Sequence, residues 1–131
     1  MEDRTAGLLN PLQLAYMGDA VWEIVVRSRL IHQQKSVRHM HTECVQSVNA
    51  AALARNLEKI LPLLTEEEKA IVLRGRNAHS RHPAPRHQNP ADYSEATGFE
   101  ALLGYLYLTD RYDRIHEIQE TIFYEEAADG A

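Results

Sequence analysis

The chain is poor in several things, and each shortage excludes a class of protein. Its 131 residues include one cysteine, Cys44. No intramolecular disulfide framework can form, which fits a reducing compartment. Six glycines and five prolines are too few for a low-complexity or collagen-like chain. Basic residues are outnumbered, 14 Lys and Arg against 19 Asp and Glu, for a net charge of −5. Coating of nucleic acid through overall charge is therefore excluded, although a local basic patch is not. No apolar run reaches the roughly 20 residues that span a bilayer; the longest, Leu12–Val26, is interrupted by Asp19 and Glu23. The acidic opening MEDRTAGLLN has no signal-peptide core, so the expected location is cytoplasmic, with no membrane partner. What is present is an ordinary globular mixture, 44% hydrophobic and 25% charged. The chain is long enough for one domain with a substantial core.

Apolar spacing predicts helices throughout. Residues 1–9 read as a frayed lead-in. Asn10 caps and Pro11 opens a first helix running to about His32. Ser36 caps a second that continues to about Glu58, and Leu61-Pro62-Leu63-Leu64 ends it. Thr65 and Glu68 form a capping box for a third helix reaching about His79. Ser80–Pro90 is a loop. Asp92 or Ser94 caps a fourth helix ending near Asp110. A last helix spans about Asp113–Glu126, its inner face Ile115, Ile118, Ile122 and Phe123, and Ala127–Ala131 is expected to be disordered. No period-two pattern lasts beyond four residues and no repeat occurs. The expectation is an all-α bundle of five or six helices.

Two of these helices are apolar on nearly every side, yet each carries an isolated acid. Leu12–Arg27, LQLAYMGDAVWEIVVR, has Asp19 beside Gly18 at its centre. Ala96–Leu108, ATGFEALLGYLYL, has Glu100 as its one charge, between Gly98 and Gly104. A carboxylate among apolar side chains is costly unless something pairs with it, and nothing basic lies within a turn of Asp19. The expectation is that the two helices pack closely at their glycines and that Asp19 and Glu100 converge on a metal ion. Carboxylate oxygens suit Mg²⁺, with Mn²⁺ as a substitute; both bind through one or two acids, waters and substrate phosphates. Glu23 lies one turn after Asp19 on the same face and would support the site; Glu95 is a weaker candidate. A di-iron bundle requires Glu-x-x-His, which is absent, and zinc has no suitable cysteine or histidine pairing. Cys44 reads as core packing, and His39 and His41 as surface residues. Arg74–Ala91, RGRNAHSRHPAPRHQNPA, concentrates four arginines and three histidines with no acid. Arginine's planar fork suits phosphate, so a phosphate-binding arm is expected there.

LAYMGDAV at Leu14–Val21 resembles the Leu-Gly-Asp-Ala/Ser signature of the ribonuclease III catalytic domain. FEALLGYLYL at Phe99–Leu108 resembles that family's second motif. With RGRNA at Arg74–Ala78, the whole chain most resembles the stand-alone Mini-ribonuclease III branch. The resemblance implies a homodimeric ribonuclease III endonuclease-domain helical bundle, residues 1–131 forming a single catalytic domain without a double-stranded-RNA-binding domain. It implies Mg²⁺-dependent cleavage of double-stranded RNA, leaving 5′-phosphate and 3′-hydroxyl ends. It further implies maturation of the ends of the 23S ribosomal RNA precursor, helped by a large-subunit ribosomal protein. Asp19 and Glu100 match the family's metal-binding catalytic acids. Arg74, Arg76 and Arg81 become the expected phosphate contacts, with Asn77 and His79 secondary. Full-length ribonuclease III has acids where this chain has Leu12, Ala15 and Thr97, so the site is poorer in carboxylates, leaving Glu23 and Thr97 to support it. That thinning motivates the alternative, a non-catalytic RNA-binding or ribosome-assembly protein on the same fold.

Overall fold

A computed structural model describes residues 1–78 and 85–129. The elements are α1 (Asp3–Gly7), α2 (Pro11–Ile31), α3 (Val37–Val48), α4 (Ala50–Ile60), a 3-10 turn (Leu61–Leu63), α5 (Glu66–Asn77), α6 (Pro90–Leu108) and α7 (Tyr112–Asp129). No strand occurs among the described residues, as the apolar spacing predicts.

α6 is the central post, with α2, α4 and α5 packed round it. Three consecutive turns of apolar and small residues explain its place: from Ala96 to Leu106 every residue but Glu100 is buried. Trp22 of α2 fixes the interior, edge-on to Phe99 at 5.2 Å and stacked on Phe123 of α7 at 5.7 Å. Such aromatic pairs add modestly to the burial of their own area.

Local chemistry sets most helix ends. Asn10 accepts from Leu12 N–H, and Gln13 answers from N3. Thr65 and Glu68 form the expected reciprocal box. Glu68 is also buried, and Arg114 of α7 meets both its oxygens at 2.8 Å. Burial pushes this carboxyl up, but Arg114 and the Thr65 N–H outweigh burial and hold it below the usual carboxylate range. α6 ends with Asp110 in the left-handed region (φ 61°). Its N–H reaches the Tyr107 carbonyl and that of Arg111 the Leu106 carbonyl, a Schellman closure with aspartate where glycine is usual.

The structure corrects four boundaries. The first nine residues are not frayed: α1 buries Ala6, and Arg74 donates to the carbonyls of Gly7 and Leu9. The second expected helix is two, α3 and α4, because Asn49 turns extended and caps α4 through Ala52 N–H. α6 begins at Pro90, capped by Asn89 rather than Asp92 or Ser94. Ala127–Asp129 continues α7 instead of fraying; residues 130–131 lie outside the described residues. α2 also leaves an apolar stripe uncovered. Tyr16 (83% exposed), Ala20 and Ile24 (66% exposed) follow one another at four-residue spacing on its outer side.

Candidate active site

The site is built where α2 and α6 cross. A methyl group added at Gly18 would fall 1.7 Å from the Glu100 carbonyl oxygen, and one added at Gly104 would fall 1.9 Å from that of Leu14. Both distances lie far inside van der Waals contact, so the two backbones touch directly and only glycine fits. Gly98, by contrast, faces α5: its added methyl would meet Val72 and Arg76. The packing expected from the glycines is present for Gly18 and Gly104, while Gly98 and Gly75 serve a second close crossing between α5 and α6.

The α2–α6 crossing brings Asp19 and Glu100 together. Asp19 is exposed and Glu100 half-buried. Burial, then the neighbouring Asp19 charge and a hydrogen bond between the two carboxyls, pushes Glu100 up to about 8. At neutral pH Glu100 therefore keeps its proton unless a cation takes the proton's place. The donor set therefore fits a hard divalent ion, which accepts one or two carboxylates and completes its shell with water and phosphate. Among the described residues no group of three or more His, Cys, Asp or Glu side chains converges on one point.

The other candidate residues separate on inspection. Glu23 pairs with Arg27 at 3.0 Å, one turn further along α2. Glu95 pairs with Arg76 at 2.8 Å. Thr97 is buried and donates to the Tyr93 carbonyl at 2.9 Å, so its hydroxyl is engaged within its own helix. Arg74 is half-buried, its guanidinium on the Gly7 and Leu9 carbonyls. That position braces the N-terminal segment, and the phosphate-contact expectation fits it least. Arg76 and Asn77 are exposed at the end of α5. That end is held against α6 at the turn bearing Glu100, because Gly75 abuts Thr97, Gly98 and Ala101. His79 and Arg81 lie outside the described residues.

One feature escaped the sequence reading. Glu100 also borders an open cleft of about 490 Å³, whose walls are the N-terminal end of α4, with Asn49 and Ala50, and the Asp92, Tyr93 and Ala96 face of α6. Asp92, Ala96 and Glu100 recur every four residues, a spacing visible in the sequence. The opposite wall exists only because the chain breaks at Asn49.

Comparison with known proteins agrees with this architecture. Residues 12–111 match the model of the ribonuclease III domain family. A Mini-ribonuclease 3 from Symbiobacterium thermophilum is 46% identical over 111 residues, covering 84% of this chain and 85% of the relative. A Mini-ribonuclease 3 from a Thermoanaerobacter species is 45% identical, covering 86% and 79%, and one from Clostridium tetani is 40% identical, covering 92% and 82%. A crystal structure of a protein from Fusobacterium nucleatum superposes with a TM-score of 0.82 at 29% identity, covering 91% of this chain and 95% of that one. With its two glycine-seated carboxylates on α2 and α6, the chain belongs to the ribonuclease III domain family, among the Mini-ribonucleases 3.

Proposed function

We propose that this protein is a divalent-metal-dependent endoribonuclease that cuts double-stranded RNA, with residues 1–131 acting as one catalytic domain in the cytoplasm. The observation that carries the reading is the pairing of Asp19 with Glu100, which leaves Glu100 near 8 and is relieved by a shared cation. Family membership supports double-stranded RNA as the substrate class. Asp19 and Glu100 would hold the ion, Mg²⁺ in preference and Mn²⁺ as a substitute. Bound there, it supplies Lewis-acid polarisation of a phosphate oxygen and a lowered pKa for the attacking water.

The rest falls to the protein. Glu100 must lose its proton for the pair to bind a cation, and the touching backbones of α2 and α6 keep the two carboxyls in register while it does so. Arg76 and Asn77, braced beside the Glu100 turn, are placed to meet the phosphates of an A-form duplex, whose base edges are hidden in its deep groove. Arg74 contributes by fixing the segment that leads into α2. Glu23 and Thr97 act indirectly, one through Arg27 and the other through the α6 backbone. His79 and Arg81 extend the same basic run. The uncovered Tyr16–Ala20–Ile24 stripe supports a homodimer that sets two sites against one duplex. Hydrolysis would leave 5′-phosphate and 3′-hydroxyl ends. The natural substrate would be the 23S ribosomal RNA precursor, with a large-subunit ribosomal protein as helper.

The test is cleavage of a long, fully paired RNA by the wild type and Asp19→Asn, with Mg²⁺ or with EDTA, after both proteins are shown to fold and to bind the RNA. Cleavage confined to wild type with Mg²⁺ is expected. Binding without cleavage, where a ribonuclease III control cuts, would instead favour a non-catalytic RNA-binding or ribosome-assembly protein.

A further inference from the structure

A second cavity, of about 280 Å³, opens between α2, α3, α4 and α7. None of its lining residues belongs to the Glu100 cleft. Its walls are rich in donors. Arg29 comes from α2, and Arg55 and Lys59 come from successive turns of α4. The Arg29 guanidinium carbon sits over the Phe123 ring, 3.9 Å from its centroid. One carboxylate from α7 serves two of the cations: Glu126 stands 3.1 Å from Arg29 and 3.8 Å from Lys59. Arg55 has no ion pair among the described residues. The other acid of the cavity, Glu43, is already matched by Lys35 at 2.8 Å and by His39.

Two further donors line the same cavity. Asn56 is 5% exposed and lines the cavity, yet its carboxamide makes no hydrogen bond among the described residues. Trp22 is 1% exposed, and its indole N–H is buried without a partner among the described residues. Buried polar groups are nearly always satisfied, and an unsatisfied one calls for a missing partner. Here the Trp22 indole N–H is such a group, and the Asn56 amide and the Arg55 guanidinium line the same cavity without a partner among the described residues.

We infer that this cavity is an oxyanion site for a phosphate group and that Glu126 is its internal occupant. A carboxylate has two oxygens and reaches only Arg29 and Lys59. Inorganic phosphate has four and the phosphate of a mononucleotide three, enough to meet the arginine forks together with the amide and the lysine; a backbone phosphodiester has two free oxygens but arrives with neighbouring phosphates, and charge-assisted bonds of this kind are the strong ones. Guanidinium groups suit it better than a single lysine would. The phosphate arrives either free, as inorganic phosphate or a mononucleotide, or as part of an RNA backbone. The site stands apart from the carboxylate pair and does not depend on the catalytic reading.

Trp22 is the chain's one tryptophan, so its indole N–H signal in ¹⁵N-labelled protein is unambiguous. Titration with inorganic phosphate at constant ionic strength, against a chloride reference, should move that signal saturably in the wild type. Glu126→Gln removes the internal competitor and should tighten binding about tenfold. Arg55→Gln, at an exposed position, should weaken it about tenfold or more. A short RNA duplex added to Asp19→Asn separates the sources. Competition with phosphate at Trp22 assigns the site to the RNA backbone, and phosphate binding that RNA does not disturb assigns it to free phosphate. An indole signal that ignores phosphate, or that shifts identically in Arg55→Gln, overturns the site. Unchanged affinity in Glu126→Gln overturns the role of Glu126.

Discussion

Glu100 is the residue on which charge, burial and packing meet. Its ordinary pKa is near 4.5, and in the folded protein it sits near 8. Below pH 4.5 the group is protonated in both states and its contribution is complete. Between 4.5 and 8 the folded chain holds a proton that the unfolded chain releases, so stability falls as pH rises and levels off above about 8. Thermal unfolding in EDTA should therefore show wild type losing stability across that window, while Glu100→Gln stays flatter and ends more stable at pH 9 by roughly 1–3 kcal/mol. A wild-type profile parallel to that of the variant would remove the premise that folded Glu100 keeps its proton. Asp19 and Glu100 were legible in the sequence because an isolated acid in an apolar helix is costly and needs a partner. The bracing role of Arg74 is not legible there: its acceptors, the Gly7 and Leu9 carbonyls, lie more than sixty positions earlier, where no local pattern points.

At the scale of the element, the α2–α6 crossing is the feature most exposed to mutation. Gly18→Ala places a methyl 1.7 Å from the Glu100 carbonyl oxygen, and rigid backbone on both sides cannot yield cheaply. A loss of about 3 kcal/mol is expected in urea unfolding, together with a displaced Glu100. Gly7→Ala, with nothing within 4 Å of the added methyl, should fall within about 0.5 kcal/mol of wild type. Equal costs for the two would refute backbone contact as the reason for Gly18. The same scale explains which elements the sequence hid. The apolar row Met40, Cys44, Val48, Ala52 runs on through Asn49 without a change of period, so α3 and α4 read as one helix, although Asn49 followed by alanines is a serviceable cap. Asn89-Pro90 repeats the Asn10-Pro11 pairing of cap and first helical residue, and only the nearby Asp92 and Ser94 drew attention from it. α1 has five residues and no helix of that length stands alone; the buried Ala6 and the Arg74 bonds hold it in place.

At the scale of the whole molecule, α2 carries an apolar stripe that the described residues leave uncovered. Tyr16, Ala20 and Ile24 form a stripe that a second copy would cover, and Ile24→Glu should convert a dimer into a monomer in sedimentation while leaving the helical circular dichroism unchanged. A wild type that sediments as a monomer at micromolar concentration would show that the stripe serves something else. A final consequence concerns how the molecule tolerates change. Most active sites inherit their spacing from the side chains packed behind them, so that any softening of the interior blurs them. Here the distance between the two acids is gauged by main chain resting on main chain at Gly18 and Gly104, and the interior only presses the gauge shut. Ile118→Ala in α7, fully buried, should cost about 2–5 kcal/mol yet leave the cleavage rate near that of wild type at temperatures where the protein stays folded. Sequence drift across the greasy interior then trades in melting temperature alone, while two hydrogen atoms, one on each glycine, keep the chemistry in calibration.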